Sequence, residues 1–151
     1  MLDFGTAMYV QLSGNVDSEI SFNYIVNEEF EGFNAKDMSQ FSGFVSYSPS
    51  ETVRLGMFSE VGESIRYDAD NPAIGNSFFI GTFNNFQITP KLRFSPTLRY
   101  SQLKNKDDQS LYFLGYIARA NLNYQFNPNL SFRIIGEFND FDKSFFFTTL
   151  T

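Results

Sequence analysis

Cysteine and histidine are both absent from this 151-residue chain. Without cysteine the chain has no disulfide framework and no thiolate metal site. Without histidine it lacks the commonest general base and metal ligand. The sequence also contains no phosphate-binding glycine loop and no nucleophile-elbow pattern. We therefore expect a protein that is not an enzyme and that has no metal site and no other cofactor.

Basic charge and long apolar runs are scarce as well. The chain has 11 Lys and Arg against 17 Asp and Glu, which gives a net charge of -6. This balance argues against nucleic acid as a partner, because nucleic-acid binding needs a basic surface. No segment approaches the about 18 consecutive apolar residues that a membrane helix needs. Any contact with a membrane would therefore be made by strands, whose side chains alternate between two faces.

Aromatic residues are abundant, with 20 Phe and 8 Tyr, and they follow an alternating pattern. The pattern is clearest at 91–103, where Leu92 and Leu98 occupy one set of positions and Arg93 and Arg99 the other. Successive side chains of a β-strand point to opposite faces, so this segment is a strand between two different environments.

The same alternation predicts eight strands, joined by turns of two kinds. The predicted strands are 2–12, 18–27, 38–48, 51–62, 77–88, 91–103, 110–126 and 130–139, with a ninth that begins near Ser144. Short turns contain Ser13-Gly14-Asn15, Ser48-Pro49-Ser50, Thr89-Pro90 and Asn127-Pro128-Asn129. Longer and mostly acidic loops are predicted at 27–37, 62–76 and 104–109. Short turns at one end and long loops at the other are typical of outer-membrane barrels.

We therefore predict one all-β domain over 1–151. It is an antiparallel up-and-down meander of about eight strands plus a partial ninth, which forms a transmembrane β-barrel or a consecutive part of one. Pro96 lies within the best-patterned strand and cannot donate to a ladder, so it predicts a bulge or a local break in pairing. The odd strand count, the absence of a basic signal sequence and the ending at Leu150-Thr151 lead us to expect a piece of a longer chain.

The two predicted faces supply the candidate functional residues. The apolar face is expected to meet lipid, with aromatic girdles near its two borders. The girdle residues are Tyr47, Phe86, Phe94, Tyr112, Tyr124, Phe126 and Phe132. The polar face is expected to line a lumen with a charged cluster. The cluster residues are Arg54, Glu60, Arg93, Arg99, Arg119, Arg133 and Glu137.

Each polar motif has a functional and a structural interpretation. Four charged residues of the polar face are predicted to lie at similar heights along the barrel axis: Arg99, Arg119, Glu137 and Glu60. They would form either a ring that selects a solute or salt bridges that fill a narrow barrel, and we favour the salt bridges. The second group is Arg54, Arg93 and Arg133 with Lys91 beside them. It would hold an anionic ligand or, as we favour, pair with Glu51, Glu19 and backbone carbonyls. Asp68-Ala69-Asp70-Asn71 has the alternating oxygens of a calcium loop, but a solvated acidic loop is the simpler interpretation.

Two hairpin segments resemble a known family. Tyr124-Gln125-Phe126-Asn127-Pro128-Asn129-Leu130-Ser131-Phe132-Arg133, followed by Gly136-Glu137-Phe138-Asn139-Asp140-Phe141, resembles the periplasmic-turn hairpins of Bacteroidota outer-membrane barrels. Val45-Ser46-Tyr47-Ser48-Pro49-Ser50 has the same style. More narrowly, the segments resemble a family in which a carbohydrate-binding-like domain precedes a barrel of unknown function. The resemblance implies the outer membrane of a Gram-negative bacterium and glycan or nutrient handling by the preceding domain.

Three functional hypotheses follow from these patterns. The first is an outer-membrane barrel or barrel segment that acts as a membrane anchor or porin-like pore, with membrane lipid and other outer-membrane chains as partners. The second is a soluble lipocalin-like or sandwich module that binds an apolar ligand. The third is a structural subunit whose open sheet edges pair with a partner chain, since an unpaired edge is not viable in lipid.

Overall fold

A computed structural model of the chain describes residues 2–12 and 15–142. These residues form a single eight-stranded sheet. The strands are β1 (Leu2–Leu12), β2 (Val16–Phe30), β3 (Phe33–Ser50), β4 (Val53–Arg66), β5 (Ala73–Thr89), β6 (Leu92–Asn105), β7 (Leu111–Asn127) and β8 (Leu130–Asp142). The alternating aromatic and β-branched residues of the sequence favour this extended conformation.

Each strand pairs antiparallel with the next one along the chain, in the order β1-β2-β3-β4-β5-β6-β7-β8. The predicted all-β antiparallel meander is therefore confirmed. Over the described residues the sheet is open, because its pairing begins at β1 and ends at β8. The predicted ninth strand near Ser144 lies outside the described residues. The described part of the chain contains no helix with the length and hydropathy needed to cross a membrane.

The acidic loop predicted at 27–37 is wrong, because most of it is strand. β2 continues to Phe30 and β3 begins at Phe33, with a tight turn between them at Glu31 and Gly32. Both turn residues have positive φ, of 47° and 81°, as a type I′ hairpin turn requires. The loops predicted at 62–76 and 104–109 are likewise shorter, because β4 extends to Arg66 and β6 to Asn105. We call the end of the sheet with these connections the loop end, and the opposite end the short-turn end.

Two further predictions concern proline. The turn predicted at Ser48-Pro49-Ser50 lies further along the chain, since β3 runs through Ser50 and the turn residues are Glu51 and Thr52. The local break predicted at Pro96 is confirmed. On the β5 side the paired residues pass from Phe83–Thr97 directly to Phe86–Phe94, which skips the proline.

The sheet has two distinct faces, which the strand register identifies. One cross-strand row contains Ser18, Val45, Met57, Thr82, Leu98, Ala118 and Phe138. We call the surface with this row and its alternate neighbours the apolar face. The opposite surface, with Glu19, Ser42, Arg99, Arg119 and Glu137, is the mixed face. This assignment agrees with the two sets of positions predicted from the alternation.

The buried core lies at the loop end, between the β2–β3 and β4–β5 hairpins. It consists of Ile25, Ala35, Met38 and Ile65, with Phe30, Phe33 and Ile74 packed against it. Ile25 and Met38 are paired across β2 and β3 on the mixed face. β4 leaves β3 after the pair Gln40–Gly62, where Gly62 has a φ of 157° and a side chain would overlap the Ser39 carbonyl. Only glycine fits this close approach.

Candidate functional site

The apolar face exposes large hydrophobic side chains on every strand. Leu98 is 57% exposed at the middle of β6, and Phe138 is 65% exposed on β8. The other exposed members are Met8, Ile20, Phe41, Val45, Tyr47, Leu55, Met57, Val61, Phe78, Ile88, Tyr116, Phe126, Leu130, Phe132 and Ile134. An exposed apolar surface of this extent marks a place where a protein meets another protein or a membrane.

This face also lacks charge over a broad band. On β2 to β8 its positions carry no Asp, Glu, Lys or Arg until the loop end is reached. The first charged residues at these alternate positions all lie towards the loop end of their strands: Glu28 on β2, Asp37 on β3, Glu63 on β4, Lys104 on β6 and Asp140 on β8. A groove of about 510 Å³ crosses the band between β5 and β8; its lining includes Leu98, Tyr100 and Phe138, with Asp140 at its border.

The predicted girdle residues lie mostly along the short-turn border of the apolar face. Tyr47, Phe126 and Phe132 are exposed there. Phe86 and Phe94 form a cross-strand stacked pair with ring centroids 6.4 Å apart. The Tyr124 ring meets the Phe126 ring edge-on at 4.7 Å.

Tyr112 has a different environment from the rest of the predicted girdle. It lies at the register shift of β7, between Leu111, which pairs with Lys104, and Phe113, which pairs with Leu103. Its ring lies 4.8 Å from the Arg66 guanidinium. It lines a cavity of about 360 Å³ that also includes Ile65 and Phe113. Its contacts are therefore with other parts of the protein at the loop end.

An aromatic cluster on the mixed face was not predicted from the sequence. The rings of Phe44 and Phe83 stack with centroids 5.5 Å apart, and Phe58 lies 6.2 Å from Phe83 and 5.3 Å from Phe79. Two of these rings cover glycines on the neighbouring strand. Phe83 pairs with Gly56 and Phe58 pairs with Gly81, and a Cβ on either glycine would overlap the ring.

The cluster packs because two of its four rings, Phe58 and Phe83, each have a cross-strand partner without a side chain. Such covering of a strand glycine by an aromatic ring stabilises sheets. A search along a single strand finds only isolated phenylalanines, so the pattern is visible only once the register is known.

The structure brings together only part of the predicted charged cluster. Arg119 on β7 and Glu137 on β8 are directly paired, and their ion pair has an Nη2–Oε2 distance of 2.5 Å. Arg99 pairs with Gly81 on one side and Ile117 on the other. Glu60, on β4, pairs instead with Ser42 and Phe79. Among the described residues of the predicted charged cluster, an ion pair thus joins Arg119 and Glu137.

The second predicted group lies at the short-turn end of the mixed face. Arg93 donates from Nε to Gln87 Oε1 at 3.0 Å, and Arg133 donates from Nε to Asn123 Oδ1 at 2.8 Å. Lys91 Nζ donates to the Phe126 carbonyl at 3.2 Å. These contacts are with amides and a carbonyl, whereas the pairing that we predicted was with Glu51 and Glu19 as well as carbonyls.

Arg54 stands beside this group on β4. Its guanidinium lies 5.9 Å from the centroid of the Phe83 ring, which is a cation–π contact. It lines a second groove, of about 250 Å³, together with Glu51 and Arg93.

The acidic loop after β4 is held by contacts within the protein. Asp68 forms an ion pair with Arg66 at 2.6 Å, and its other oxygen accepts a hydrogen bond from the Asp70 backbone at 3.2 Å. Tyr67 donates to Glu28 Oε1 at 2.8 Å and meets the Phe30 ring edge-on. Partial burial, followed by this hydrogen bond, raises the pKa of Tyr67 to about 12. Within residues 2–12 and 15–142 there is no cluster of three or more acidic side chains that could hold a metal ion.

Comparison of the chain with protein-family models, with curated proteins and with solved structures found no match. The functional argument therefore depends on the residues and geometry described above.

Proposed function

We propose that this chain forms the wall of an outer-membrane β-barrel, or a consecutive part of that wall, and acts as a membrane anchor or pore. In this proposal the apolar face meets lipid and the mixed face lines the interior. The observation that supports it best is the exposed and uncharged apolar band that extends across the sheet. In water such a surface is unfavourable, whereas in lipid it is the expected one.

The stagger of the strands also supports a barrel wall. The row that starts at Ser18, close to the β1–β2 turn, ends at Phe138, which is far from the turn at Pro128 and Asn129. The short turns therefore step progressively along the sheet. Strands in a barrel are tilted against the axis, and this tilt produces a stagger of the same kind.

The open edges at β1 and β8 add a condition to the proposal. Unpaired backbone groups are very costly in lipid, so both edges need partners within the membrane. We propose that further strands, from the same chain or from another outer-membrane chain, pair with them. This condition is compatible with the hairpin resemblance to Bacteroidota outer-membrane barrels, whose preceding carbohydrate-binding-like domain would handle glycans or nutrients.

A soluble module that binds an apolar ligand is the second candidate. The observation in its favour is the aromatic cluster of Phe44, Phe58, Phe79 and Phe83 on the mixed face, which would form part of a ligand-binding core. This second candidate does not explain what covers the exposed apolar band.

Insertion of a charge into the apolar band tests the proposal. Leu98→Arg places an arginine at the centre of the band and should cost about 2–4 kcal/mol in a lipid-facing position. The matched variant Asn139→Arg adds the same side chain to an exposed position of the mixed face on β8. Produced together with the strands that pair with β1 and β8, the wild type and Asn139→Arg should fold into lipid vesicles and migrate differently on gels before and after heating, whereas Leu98→Arg should remain unfolded. Equal folding of both variants would contradict the proposal.

A further inference from the structure

The mixed face contains a polar groove at its short-turn end, on the half of the sheet formed by β5 to β8. The groove has a volume of about 470 Å³. Its lining includes Lys91, Arg93, Asn123, Gln125, Ser131 and Arg133. It is separate from the aromatic cluster and from the Arg119–Glu137 ion pair.

The strand register places two arginines of this groove in one line. The cross-strand row reads Gln87 on β5, Arg93 on β6, Asn123 on β7 and Arg133 on β8. Neighbouring strands lie about 4.8 Å apart, so the two arginine backbones are separated by roughly 10 Å. Arginine and amide side chains therefore alternate along the row.

The amides orient the guanidinium groups. In each arginine it is Nε that donates to the neighbouring amide oxygen, Arg93 to Gln87 and Arg133 to Asn123. A guanidinium has five N–H donors in a fixed plane. Within the described residues, the four donors on the two Nη atoms of each arginine have no hydrogen bond or ion pair, and they form the fork that binds phosphate or carboxylate with two parallel hydrogen bonds.

The charge around the groove is positive. Among the described residues, no ion pair joins Lys91, Arg93 or Arg133 to a carboxylate. Five acidic residues are described on β5 to β8 and their connections, and all belong to the loop-end side of this row: Asp107, Asp108, Glu137, Asp140 and Asp142. Glu51 lines the neighbouring groove with Arg54 and Arg93, and among the described residues it forms no ion pair. Three cations thus converge on one polar groove in a chain of net charge -6.

We infer that this groove binds a phosphate-class oxyanion large enough to engage both Arg93 and Arg133, such as a diphosphate group. The ligand is a soluble one, because the groove opens on the face opposite the apolar band and a lipid headgroup held at that band would lie on the other side of the sheet. The inference goes beyond the proposed function and does not require it, since the row exists in the sheet itself.

Titration with sodium pyrophosphate tests the inference. The whole chain is folded in neutral detergent, and heat release is measured at constant ionic strength with sodium chloride as the competing salt. We expect saturable binding that weakens about tenfold or more in the double variant Arg93→Gln/Arg133→Gln. Arg133→Lys should weaken it by a smaller factor, because a lysine keeps the charge and loses the fork.

Arg99→Gln is the matched control, since Arg99 is an exposed arginine of the same face outside the groove. We expect it to bind pyrophosphate as the wild type does. No saturable binding by the wild type, or an equal loss in Arg99→Gln and the double variant, would overturn the inference. Binding of short-chain phosphatidic acid but not of pyrophosphate would also overturn it, because the ligand would then be a lipid headgroup. Far-ultraviolet circular dichroism shows separately whether each variant has folded into a sheet, with or without a barrel, so a failure of the proposed function is distinguishable from a failure here.

Discussion

Away from the edge strand β8, where Ile135 and Phe141 of the mixed face are also exposed, the two faces of this sheet use the same kinds of side chain in opposite ways. On the apolar face, large hydrophobic residues such as Met57 and Leu98 project outward without protein neighbours that cover them. On the mixed face, Met38 is buried in the core and Phe83 lies against a glycine. Packing within the chain thus stabilises the mixed face, whereas the apolar face is complete only when its surroundings are apolar. The difference indicates that the stability of the fold depends on the surrounding solvent at the apolar face and not at the mixed face.

The largest expected contrast is between two methionines on the two faces. Met38 is 1% exposed and Met57 is 44% exposed. Met38→Ala should lower the free energy of unfolding by about 2–5 kcal/mol, because it leaves a cavity in the core. Met57→Ala should lower it by only about 1 kcal/mol, because lipid fills the vacated space and the loss is limited to the transfer of the partly exposed side chain from water. Urea unfolding from vesicles, followed by circular dichroism, measures both, and equal losses would mean that the two faces are packed alike.

A smaller contrast is expected between glycines. Gly81→Ala would push a methyl group into the Phe58 ring and should destabilise the protein by about 1–3 kcal/mol. Gly136→Ala is the matched control, because nothing lies within 4 Å of the added Cβ. The same unfolding experiment compares the two variants. If they are equally stable, the aromatic cluster does not hold the mixed face together.

The smallest effect concerns Tyr67 at the loop end, outside the strands. Its raised pKa means that the folded state favours the neutral phenol. This contribution is complete below the ordinary tyrosine pKa of about 10 and is lost as the pH rises towards about 12. Absorbance titration should show a tyrosine that ionises near pH 12, and Tyr67→Phe should remove this transition and cost about 0.5–1.5 kcal/mol at neutral pH. If the transition near pH 12 persists in Tyr67→Phe, the high pKa belongs to another residue.

The sequence predicted the strands better than their ends. Period-two alternation locates all eight described strands, although on β5 large apolar residues occupy both sets of positions, Phe78 and Ile80 on one and Phe79 and Phe83 on the other. The β2–β3 hairpin was missed because Glu28, Glu29 and Asp37 have the composition of a solvated loop, although they extend two strands. Local composition does not reveal that Ile25 and Met38 anchor this extension through a core contact with Ile65.

The sequence predicted those features of the candidate sites that follow from the alternation within a single strand. The alternation predicted the apolar face and the mixed-face positions of Arg93, Arg119 and Arg133. It did not predict which residues pair, since that requires the register between strands. Arg119–Glu137 could be proposed from similar heights, but Glu60, predicted at the same height, pairs with Phe79 and Ser42 on other strands. The aromatic cover of Gly56 and Gly81 depends on register alone.

Residue-by-residue accessibility along β6 tests the central claim most directly. The chain has no cysteine, so single cysteines at Leu98, Arg99, Tyr100 and Ser101 each carry one spin label without background. In vesicles, we predict that labels at Leu98 and Tyr100 collide with oxygen, which concentrates in lipid, and that labels at Arg99 and Ser101 collide instead with a water-soluble nickel complex. Accessibility that does not alternate, or labels at Leu98 and Tyr100 protected from both reagents, would contradict a lipid-facing apolar surface.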